Sequence, residues 1–362
     1  MQKIKVLYIV STLESKGPTN QLFYLIKYLD REVFDPMILT LSPEPKSSMK
    51  ASFEKEGIDI QTLGTGRLSG ILKNKKILKQ ILQKFKPDII QSMGIRADGY
   101  NAGFGSEFKR ITTSRNFPLV DYVQKFGKIK GLLMAKMHIA YFKNLEVVAC
   151  SMSIFKQLSE IGVSSTTIQN GVDLSRFSPE SITEMKNEST VDEKIVFVTV
   201  GSLIFRKNNS QLIQAFSGLG EDFKLIVVGD GPESDDLKSL DKLGNIEFVG
   251  HQSDVKKYLL EADAFVSASR AEGLPNAVLE AMACDLPVIL SDIPPHRELV
   301  EGSEFDTFLF NLDDVEDLKE KIQIFSKQLH GLGGVARGLV SKRFAAEVMS
   351  KKYQKLYLQV SK

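Results

Sequence analysis

The stretch Ser269-Arg270-Ala271-Glu272-Gly273-Leu274-Pro275-Asn276-Ala277-Val278-Leu279-Glu280-Ala281-Met282-Ala283 is the most informative part of the sequence for the fold. It follows Ala264–Ala268, an apolar run whose length and boundaries predict a buried strand. Pro275 suits the first turn of a helix, where a backbone N–H is not needed. A strand, a tight turn and a helix in this order are typical of a parallel sheet wound with helices.

Two carboxylates flank the start of this predicted helix. Glu272 lies in the turn, whereas Glu280 lies inside a helix that is apolar on nearly every side. A buried carboxylate is costly unless it is paired or hydrogen-bonded, and the free N–H groups of a helix start bind anions. The stretch therefore predicts a pocket for a phosphorylated, hydroxyl-rich ligand. The alternative is purely structural, with Glu280 bonded to a neighbouring amide and Glu272 acting as an N-terminal helix carboxylate.

The spacing of Glu272 and Glu280 resembles the paired-glutamate motif of the retaining family 4 glycosyltransferases. The similarity continues through Leu286-Pro287-Val288-Ile289 and Ser291-Asp292-Ile293-Pro294-Pro295-His296-Arg297-Glu298. This resemblance implies an α/β protein with the GT-B fold, in which two doubly wound, Rossmann-like parallel-sheet domains face a central cleft. It also implies transfer of a sugar from a nucleotide sugar, UDP-linked before GDP-linked, to an acceptor hydroxyl with retention of anomeric configuration.

The resemblance also implies roles for individual residues. Glu272 is expected to face the transferred sugar and Lys207 to neutralise the departing diphosphate, so these two are the predicted catalytic residues. Glu280 is expected to bind the ribose hydroxyls. The predicted substrate-binding residues are Glu280, Arg206, Gly201, Gly273, Leu274, Pro275, Asn276, His251, Gly17, Asn20, Arg115 and Asn116.

The chain departs from the family pattern in its phosphate loop. Ser202 stands where the family usually has an arginine directly after the glycine, and Arg206 is the candidate replacement. Asp285 stands where the family commonly has glycine at the end of the buried helix. Asp tolerates a left-handed backbone better than most residues, so we expect the site to be undisturbed.

The acceptor side departs further. The loop of residues 14–20 has Gly17-Pro18 in place of two adjacent glycines and precedes a predicted helix over Gln21–Leu29, capped by Thr19 or Asn20. The histidine that the family often has near residues 94–98 or 114–117 is missing. Arg115 and Asn116 are the proposed substitutes, whereas His138 is interpreted as a packed helix residue.

The length of the chain and its alternation of strands and helices predict two domains. The chain has 362 residues, which exceeds one ordinary domain. We expect an acceptor-binding domain over 1–172, a nucleotide-sugar-binding domain over 173–344, and a C-terminal helix over 345–362 that crosses back. Ser178–Glu193 has the polar composition of a linker. The predicted strands are Ile4–Ser11, Asp35–Leu41, Ile58–Leu63, Asp88–Met93, Ile111–Ser114, Glu146–Cys150, Lys194–Val200, Lys224–Val228, Ile246–Val249, Ala264–Ala268, Pro287–Ser291 and Thr307–Phe310.

Composition limits location and cofactors. Hydrophobic residues make up 43% and charged residues 25% of the chain, as in soluble globular proteins. The two cysteines, Cys150 and Cys284, have no metal or redox spacing, and we expect a cytoplasmic protein that needs no metal or cofactor. No run approaches the length needed to span a bilayer, and the first apolar run is too short for a signal peptide.

Charge is divided unequally along the chain. Residues 1–170 carry 25 basic and 14 acidic side chains, whereas the rest carries 22 and 31. This split predicts an anionic partner for the first domain, either a membrane surface or an acidic substrate. For a membrane surface, the candidate contacts are Lys73–Lys86 and Lys125–Lys136. A lipid-linked or glycan acceptor gives such docking a purpose, at the inner face of a bacterial membrane where surface polysaccharides or glycolipids are made. Nucleic acid is not expected, because no binding motif accompanies the charge.

Two classes of function other than sugar transfer were compared with the sequence. A nicotinamide-dependent oxidoreductase shares the strand–helix alternation, but no Gly-x-Gly-x-x-Gly follows the first strand. A non-catalytic, glycosyltransferase-like subunit that binds or scaffolds a glycan-synthesis complex would fit Ser202, the Gly-Pro loop and the missing histidine. Retention of Glu272, Glu280 and Lys207 favours the enzyme.

Overall fold

The computed structural model describes residues 2–64, 71–179 and 194–361. Most of the predicted linker, Ser178–Glu193, lies outside the described residues. Two compact units divide the chain: Met1–Gly171 with Ala346–Lys362, and Val172–Ala345. Within the described ranges, no helix is long and apolar enough to cross a membrane.

The first unit is built on a parallel sheet of seven strands in the order β3-β2-β1-β4-β5-β6-β7. The strands are β1 (Ile4–Val10), β2 (Phe34–Thr40), β3 (Asp59–Thr62), β4 (Ile89–Ser92), β5 (Lys109–Ser114), β6 (Glu146–Ala149) and β7 (Thr166–Thr167). The helices are α1 (Gly17–Lys27), α2 (Lys50–Lys55), α3 (Ile71–Phe85), α4 (Ile95–Ala102), α5 (Pro118–Phe126), α6 (Lys128–Phe142) and α7 (Met152–Glu160).

The second unit has six parallel strands in the order β10-β9-β8-β11-β12-β13. They are β8 (Ile195–Val200), β9 (Phe223–Val228), β10 (Ile246–Gly250), β11 (Ala264–Ser267), β12 (Val288–Ser291) and β13 (Leu309–Phe310). The helices are α8 (Asn209–Phe216), α9 (Ser234–Ser239), α10 (Lys256–Glu261), α11 (Asn276–Ala283), α12 (Pro294–Val300), α13 (Val315–Gln328) and α14 (Val335–Arg343), with 3₁₀ turns at Phe205–Lys207, Glu304–Phe308 and Leu329–Leu332.

The last helix, α15 (Ala346–Val360), is grouped with the first unit. Alternate residues of β1 enter different cores, because successive side chains of a strand point to opposite faces. Tyr8 packs in one core with Tyr353 and Tyr357 of α15, whereas Leu7 and Ile9 pack in another. The parallel order and the covered faces agree with the predicted doubly wound class.

Two helix starts differ from the sequence prediction. The helix predicted over Gln21–Leu29 begins at Gly17, so Thr19 and Asn20 lie inside its first turns and do not cap it. The reason is Pro18, whose fixed φ and missing N–H suit the first turn of a helix. Pro275 lies one position before α11, as its N-cap residue with φ −76° and ψ 108°. Each predicted strand is present, and β7 is an additional short strand.

Candidate active site

Two glycine turns lie side by side at the carboxyl ends of β8 and β9. The N–H of Gly201 donates to Val228 O at 3.0 Å, and the N–H of Leu203 donates to Asp230 O at 3.0 Å. A Cβ on Gly229 would lie 1.8 Å from Gly201 O, so only glycine permits this approach. The turn at Gly229 is therefore structural, and it supports the loop that leads to Lys207.

Lys207 and Arg206 converge on Glu272. Lys207 Nζ lies 2.7 Å from Glu272 Oε1, and Arg206 Nη1 lies 2.8 Å from Glu272 Oε2. Ser269 Oγ donates to the same carboxylate at 2.8 Å, and Arg206 also donates to Ala271 O at 2.5 Å. The Glu272 side chain is only 9% exposed. Burial alone would raise the pKa of Glu272, but Lys207 and Arg206 lower it to about 2.

This cluster brings together residues that the sequence separated by more than sixty positions. Lys207 was expected at the phosphate and Glu272 at the sugar, and the structure joins them in one ion pair. Arg206 binds the same carboxylate, whereas Ser202 is exposed. The two cations and one carboxylate carry a net positive charge, which suits an anionic ligand.

The start of α11 follows this cluster directly. Gly273, Leu274 and Pro275 are buried in the turn, and Asn276 opens the helix. Its first N–H groups have no partners inside the helix, because the earliest intrahelical bond runs from Leu279 N to Pro275 O. The cations of Arg206 and Lys207 therefore contact Glu272, and the N-terminal end of α11 follows Glu272 directly in the chain.

Glu280 is a buried carboxylate on α11. It is 9% exposed, and within the described residues its carboxylate accepts no hydrogen bond. Burial raises the pKa of Glu280 to about 7, against the opposing influence of the Arg176 guanidinium. The structural alternative from the sequence, a hydrogen bond to a neighbouring amide, is wrong for this side chain.

Three neighbouring residues were not predicted. Arg176 acts electrostatically on Glu280, and Ser269 binds Glu272. His296 is fully buried: its Nδ1 lies 2.9 Å from Ser291 O, and its Nε2 has no hydrogen-bond partner in the described part of the chain. Burial lowers the pKa of His296 to about 4, with Glu272 opposing that shift, so the ring is neutral. Ser269 and His296 lie in stretches that resemble the family, but only tertiary packing reveals the neighbours of all three residues.

The structure places His251 on the surface and gives Asp285 the backbone conformation that the sequence predicted. His251 follows β10 as an exposed residue, and it makes no hydrogen bond or ion pair within the described ranges. Asp285 has φ 63°, as expected for a left-handed position, and its carboxylate accepts from the N–H groups of Gly334 at 2.8 Å and Arg337 at 3.0 Å. Asp285 therefore both ends α11 and fixes the start of α14.

The predicted acceptor-side residues lie in the first unit, after β1 and β5. Gly17 and Asn20 belong to the first turns of α1, and Asn116 is half-buried after β5. Arg115 donates to Asn170 Oδ1, while its buried Nε has no hydrogen-bond partner among the described residues. A second arginine, Arg96, follows β4 and donates to Ser42 Oγ at 2.6 Å.

His138 is buried on α6, as predicted, but polar contacts hold it. Its Nε2 lies 2.5 Å from Asp98 Oδ2, and its Nδ1 lies 2.9 Å from the hydroxyl of Tyr122. Asp98 also accepts hydrogen bonds from Ser92 and Thr112, at 2.6 and 2.8 Å. His138 therefore anchors α6 to the sheet of the first unit.

Metal ligands do not gather in the part of the chain that the structure describes. No group of three or more His, Cys, Asp or Glu side chains there is arranged to hold a metal ion. In the second unit, two cations bind Glu272, and a further buried carboxylate, Glu280, lies on α11. Two doubly wound sheets, one of them with such a loop cluster, define a two-domain α/β protein.

Known proteins are similar to this chain in sequence and in fold. Residues 181–328 match the sequence model of the family described as Glycosyl transferases group 1. The O-antigen biosynthesis glycosyltransferase WclY of Escherichia coli is 25% identical over 369 residues, covering 98% of each chain. The UDP-Gal:alpha-D-GlcNAc-diphosphoundecaprenol alpha-1,3-galactosyltransferase of E. coli is 34% identical over 169 residues, 42% of each chain. Anabaena HepE, solved with UDP and glucose, has a TM-score of 0.78 at 18% identity, covering 98% of this chain and 99% of HepE.

These similarities confirm the family resemblance of the paired-glutamate stretch. Residues 181–328 resemble the Glycosyl transferases group 1 family, and the fold of the chain is GT-B. The matched region covers most of the second unit, which contains Lys207, Glu272 and Glu280.

Proposed function

We propose that this protein transfers a sugar from a nucleotide sugar, UDP-linked before GDP-linked, to a hydroxyl of a glycan or lipid-linked acceptor. The observation that carries the proposal is the convergence of Lys207 and Arg206 on Glu272, directly before the start of α11. A diphosphate placed there meets two cations and the N-terminal end of a helix, which are groups that bind phosphate. HepE, which shares the fold, was solved with UDP and glucose.

Glu280 is assigned to the ribose of the donor. Its carboxylate is buried and accepts no hydrogen bond within the described residues, a costly state for a charged group. Two ribose hydroxyls supply the donors that the carboxylate lacks. The backbone around Leu274, Pro275 and Asn276 is assigned to the sugar and the phosphates, with N–H groups from Leu274 and Asn276 because proline has none.

In the proposed reaction, the bond between the anomeric carbon and the diphosphate oxygen breaks. A new bond forms from the acceptor oxygen to the same face of that carbon, so the configuration is retained, and the hydroxyl proton passes to the departing diphosphate. Negative charge grows on the departing diphosphate, where Lys207 and Arg206 stabilise it. Glu272 orients both cations and faces the transferred sugar. Because these groups carry the leaving-group charge, the proposed reaction requires no metal.

The acceptor is assigned to the first unit. Arg115 and Arg96 follow neighbouring strands of that sheet and suit an acceptor that carries phosphate. The E. coli relative is named for an acceptor linked to diphosphoundecaprenol. We therefore place the reaction in bacterial surface polysaccharide or glycolipid synthesis, at the cytoplasmic face of the membrane.

The test uses the purified full chain and a panel of UDP- and GDP-sugars. A donor at about 100 times its dissociation constant should stabilise the protein by about 2.7 kcal/mol, which a thermal-shift scan detects. NMR of the product then reports the anomeric configuration, with and without a chelator. Stabilisation by no nucleotide overturns the proposal. Nucleotide binding without transfer or donor hydrolysis would instead support the non-catalytic subunit, and loss of activity with the chelator would overturn the metal-independent mechanism.

A further inference from the structure

The helical hairpin of α5 and α6 exposes large apolar side chains in the first unit. Ile129 is 89% exposed and Leu133 is 70% exposed. The other exposed apolar side chains of this hairpin are Val120, Phe126, Leu132 and Met137. Single exposed apolar residues are ordinary on protein surfaces, but a contiguous group indicates a binding surface.

The exposure follows from the way α6 packs. Its buried positions are Gly131, Ala135, His138 and Phe142, which recur along one face of the helix. A Cβ on Gly131 would lie 2.3 Å from Tyr122 O, so α5 and α6 approach too closely for large side chains between them. The large side chains at 129, 132, 133 and 137 therefore fall on the opposite face, which we call the α6 stripe.

Cations surround the α6 stripe. The hairpin contains Lys125, Lys128, Lys130 and Lys136 but only one acidic residue, Asp121. Asp121 is already paired with Lys125 at 2.9 Å. Lys130 Nζ lies 5.4 Å from the centre of the Phe126 ring, so the charge and the apolar surface are interleaved. This is the pattern of a helix that lies in a lipid headgroup region with its apolar face buried.

We propose that the α6 stripe inserts into an anionic lipid surface, with the surrounding lysines contacting the headgroups. A second copy of the chain fits less well, since pairing this face with itself brings lysines against lysines. The sequence predicted that Lys125–Lys136, where cations alternate with apolar residues, contacts an anionic membrane surface. The structure identifies the apolar side chains that are exposed. The polar contacts of His138 hold α6 in place, so the stripe is presented on a rigid element.

The lysines and the aliphatic side chains of the hairpin should contribute separately to membrane binding. Loss of one membrane-facing lysine should weaken partitioning about fivefold, which corresponds to about 1 kcal/mol. Loss of both Ile129 and Leu133 should weaken it about 100-fold, because two aliphatic side chains no longer leave water. The lysine contribution should fall with salt, since charges are screened over about 10 Å at 0.1 M ionic strength.

The experiment is co-flotation with vesicles made of equal parts phosphatidylglycerol and phosphatidylcholine, without any sugar donor. The test variants are Ile129→Ser/Leu133→Ser and Lys128→Gln/Lys136→Gln. The matched controls are Leu243→Ser/Ile324→Ser, two exposed aliphatic residues of the second unit, and Lys257→Gln. All these side chains are exposed, so folding should survive. Thermal unfolding and sedimentation of each variant check this and the oligomeric state.

Insertion has a direct spectroscopic readout. The chain contains no tryptophan, so Leu133→Trp places one reporter in the α6 stripe and Ile324→Trp places one elsewhere. Vesicles should shift the emission of the first variant to shorter wavelength and leave the second unchanged. Equal flotation of the wild type and the Ile129→Ser/Leu133→Ser variant, or an unshifted Leu133→Trp emission, overturns the proposal. A dimer that dissociates when Ile129 and Leu133 are replaced also overturns the proposal, because a second copy of the chain would then cover the α6 stripe. Because no donor is present, failure here leaves the proposed sugar transfer untouched.

Discussion

Glu272 and Glu280 are two carboxylates of equal burial with opposite titration behaviour. Cations hold the pKa of Glu272 at about 2 although burial opposes this, whereas burial raises the pKa of Glu280 to about 7. Glu272 is therefore charged in the protein without ligand. Glu280, among the described residues, has no hydrogen-bond donor of the kind that a buried carboxylate needs. This difference follows from their neighbours, since both belong to the same turn and helix.

The first prediction concerns donor binding by Glu280. Glu280→Gln keeps the shape of the side chain but removes the charge that accepts ribose hydroxyls. UDP affinity, measured by calorimetry, should fall about 30-fold, equivalent to about 2 kcal/mol. Glu301→Gln, which changes an exposed carboxylate of the same unit, is the control. A folded Glu280→Gln protein with unchanged affinity would remove Glu280 from the donor site.

The second prediction concerns stability and pH in the nucleotide-free protein. The pKa of Glu280 is about 7 when folded and near 4.5 when unfolded, so the folded state binds the proton more tightly. Its stabilising contribution is complete below pH 4.5 and is lost as pH rises through 7. Well above pH 7, Glu280→Gln should therefore be more stable than the wild type by about 3 kcal/mol.

Comparison across pH isolates this effect. The lowered pKa of His296 also makes stability depend on pH, but both proteins contain His296, so it cancels in the difference. Thermal unfolding of the two proteins should coincide below about pH 4 and separate above neutrality. A difference that is independent of pH would mean that Glu280 does not titrate in this range.

The third prediction concerns Lys207. If it stabilises the departing diphosphate, Lys207→Ala should lower kcat about 100-fold and change KM much less. Because Glu272 would keep only Arg206 as its cation, thermal unfolding must show that the variant is folded. Arg206→Ala is the companion variant. Normal turnover in Lys207→Ala together with a large loss in Arg206→Ala would transfer the role to Arg206.

At the scale of elements, the Gly201 loop determines where Lys207 lies. A Cβ on Gly201 would lie 3.2 Å from Lys207 Cε and 3.4 Å from Nζ, with φ at +157°. The loop therefore needs glycine both for its backbone and for the stem of Lys207. The contacts from Gly201 and Leu203 to the neighbouring turn fix the loop on the sheet.

The fourth prediction tests this loop. Gly201→Ala should displace the Lys207 side chain by a few tenths of an ångström and lower kcat about tenfold, because small misplacements of catalytic groups are costly. Gly220→Ala is the control: it also has positive φ, but nothing lies within 4 Å of its Cβ position. It should cost stability without changing kcat. Equal kcat for both variants would show that the position of Lys207 does not depend on Gly201.

The strands and the paired carboxylates were predictable because their signals are local. Apolar runs with turn residues at their ends predicted β11 and its helix, and Glu280 stood out as a charge in an apolar helix. Pairings across the fold were not predictable in this way. The contact of Lys207 with Glu272 depends on which loops the sheet order places together, and the exposure of Ile129 depends on the glycine packing of α6.

At the scale of the whole molecule, each unit has its own core. The chain leaves the first unit after Gly171 and returns at Ala346, so the stability of that unit depends on the last helix, α15. Ser350 Oγ donates to Leu25 O at 2.8 Å, and the Tyr353 hydroxyl lies 3.0 Å from Thr113 Oγ1. The C-terminal segment is therefore a component of the first core.

The last prediction follows from Tyr357, which is fully buried in that core. Its hydroxyl donates to Gln91 and lies 3.1 Å from the hydroxyl of Tyr8. Tyr357→Phe should cost about 1 to 3 kcal/mol, because both partners are left without this hydrogen bond in a buried site. The loss should lower only the unfolding transition of the first unit, whereas UDP should raise only that of the second. Tyr258→Phe, a partly buried position of the second unit, is the control. If Tyr357→Phe lowered the UDP-sensitive transition equally, the two units would have to unfold as one.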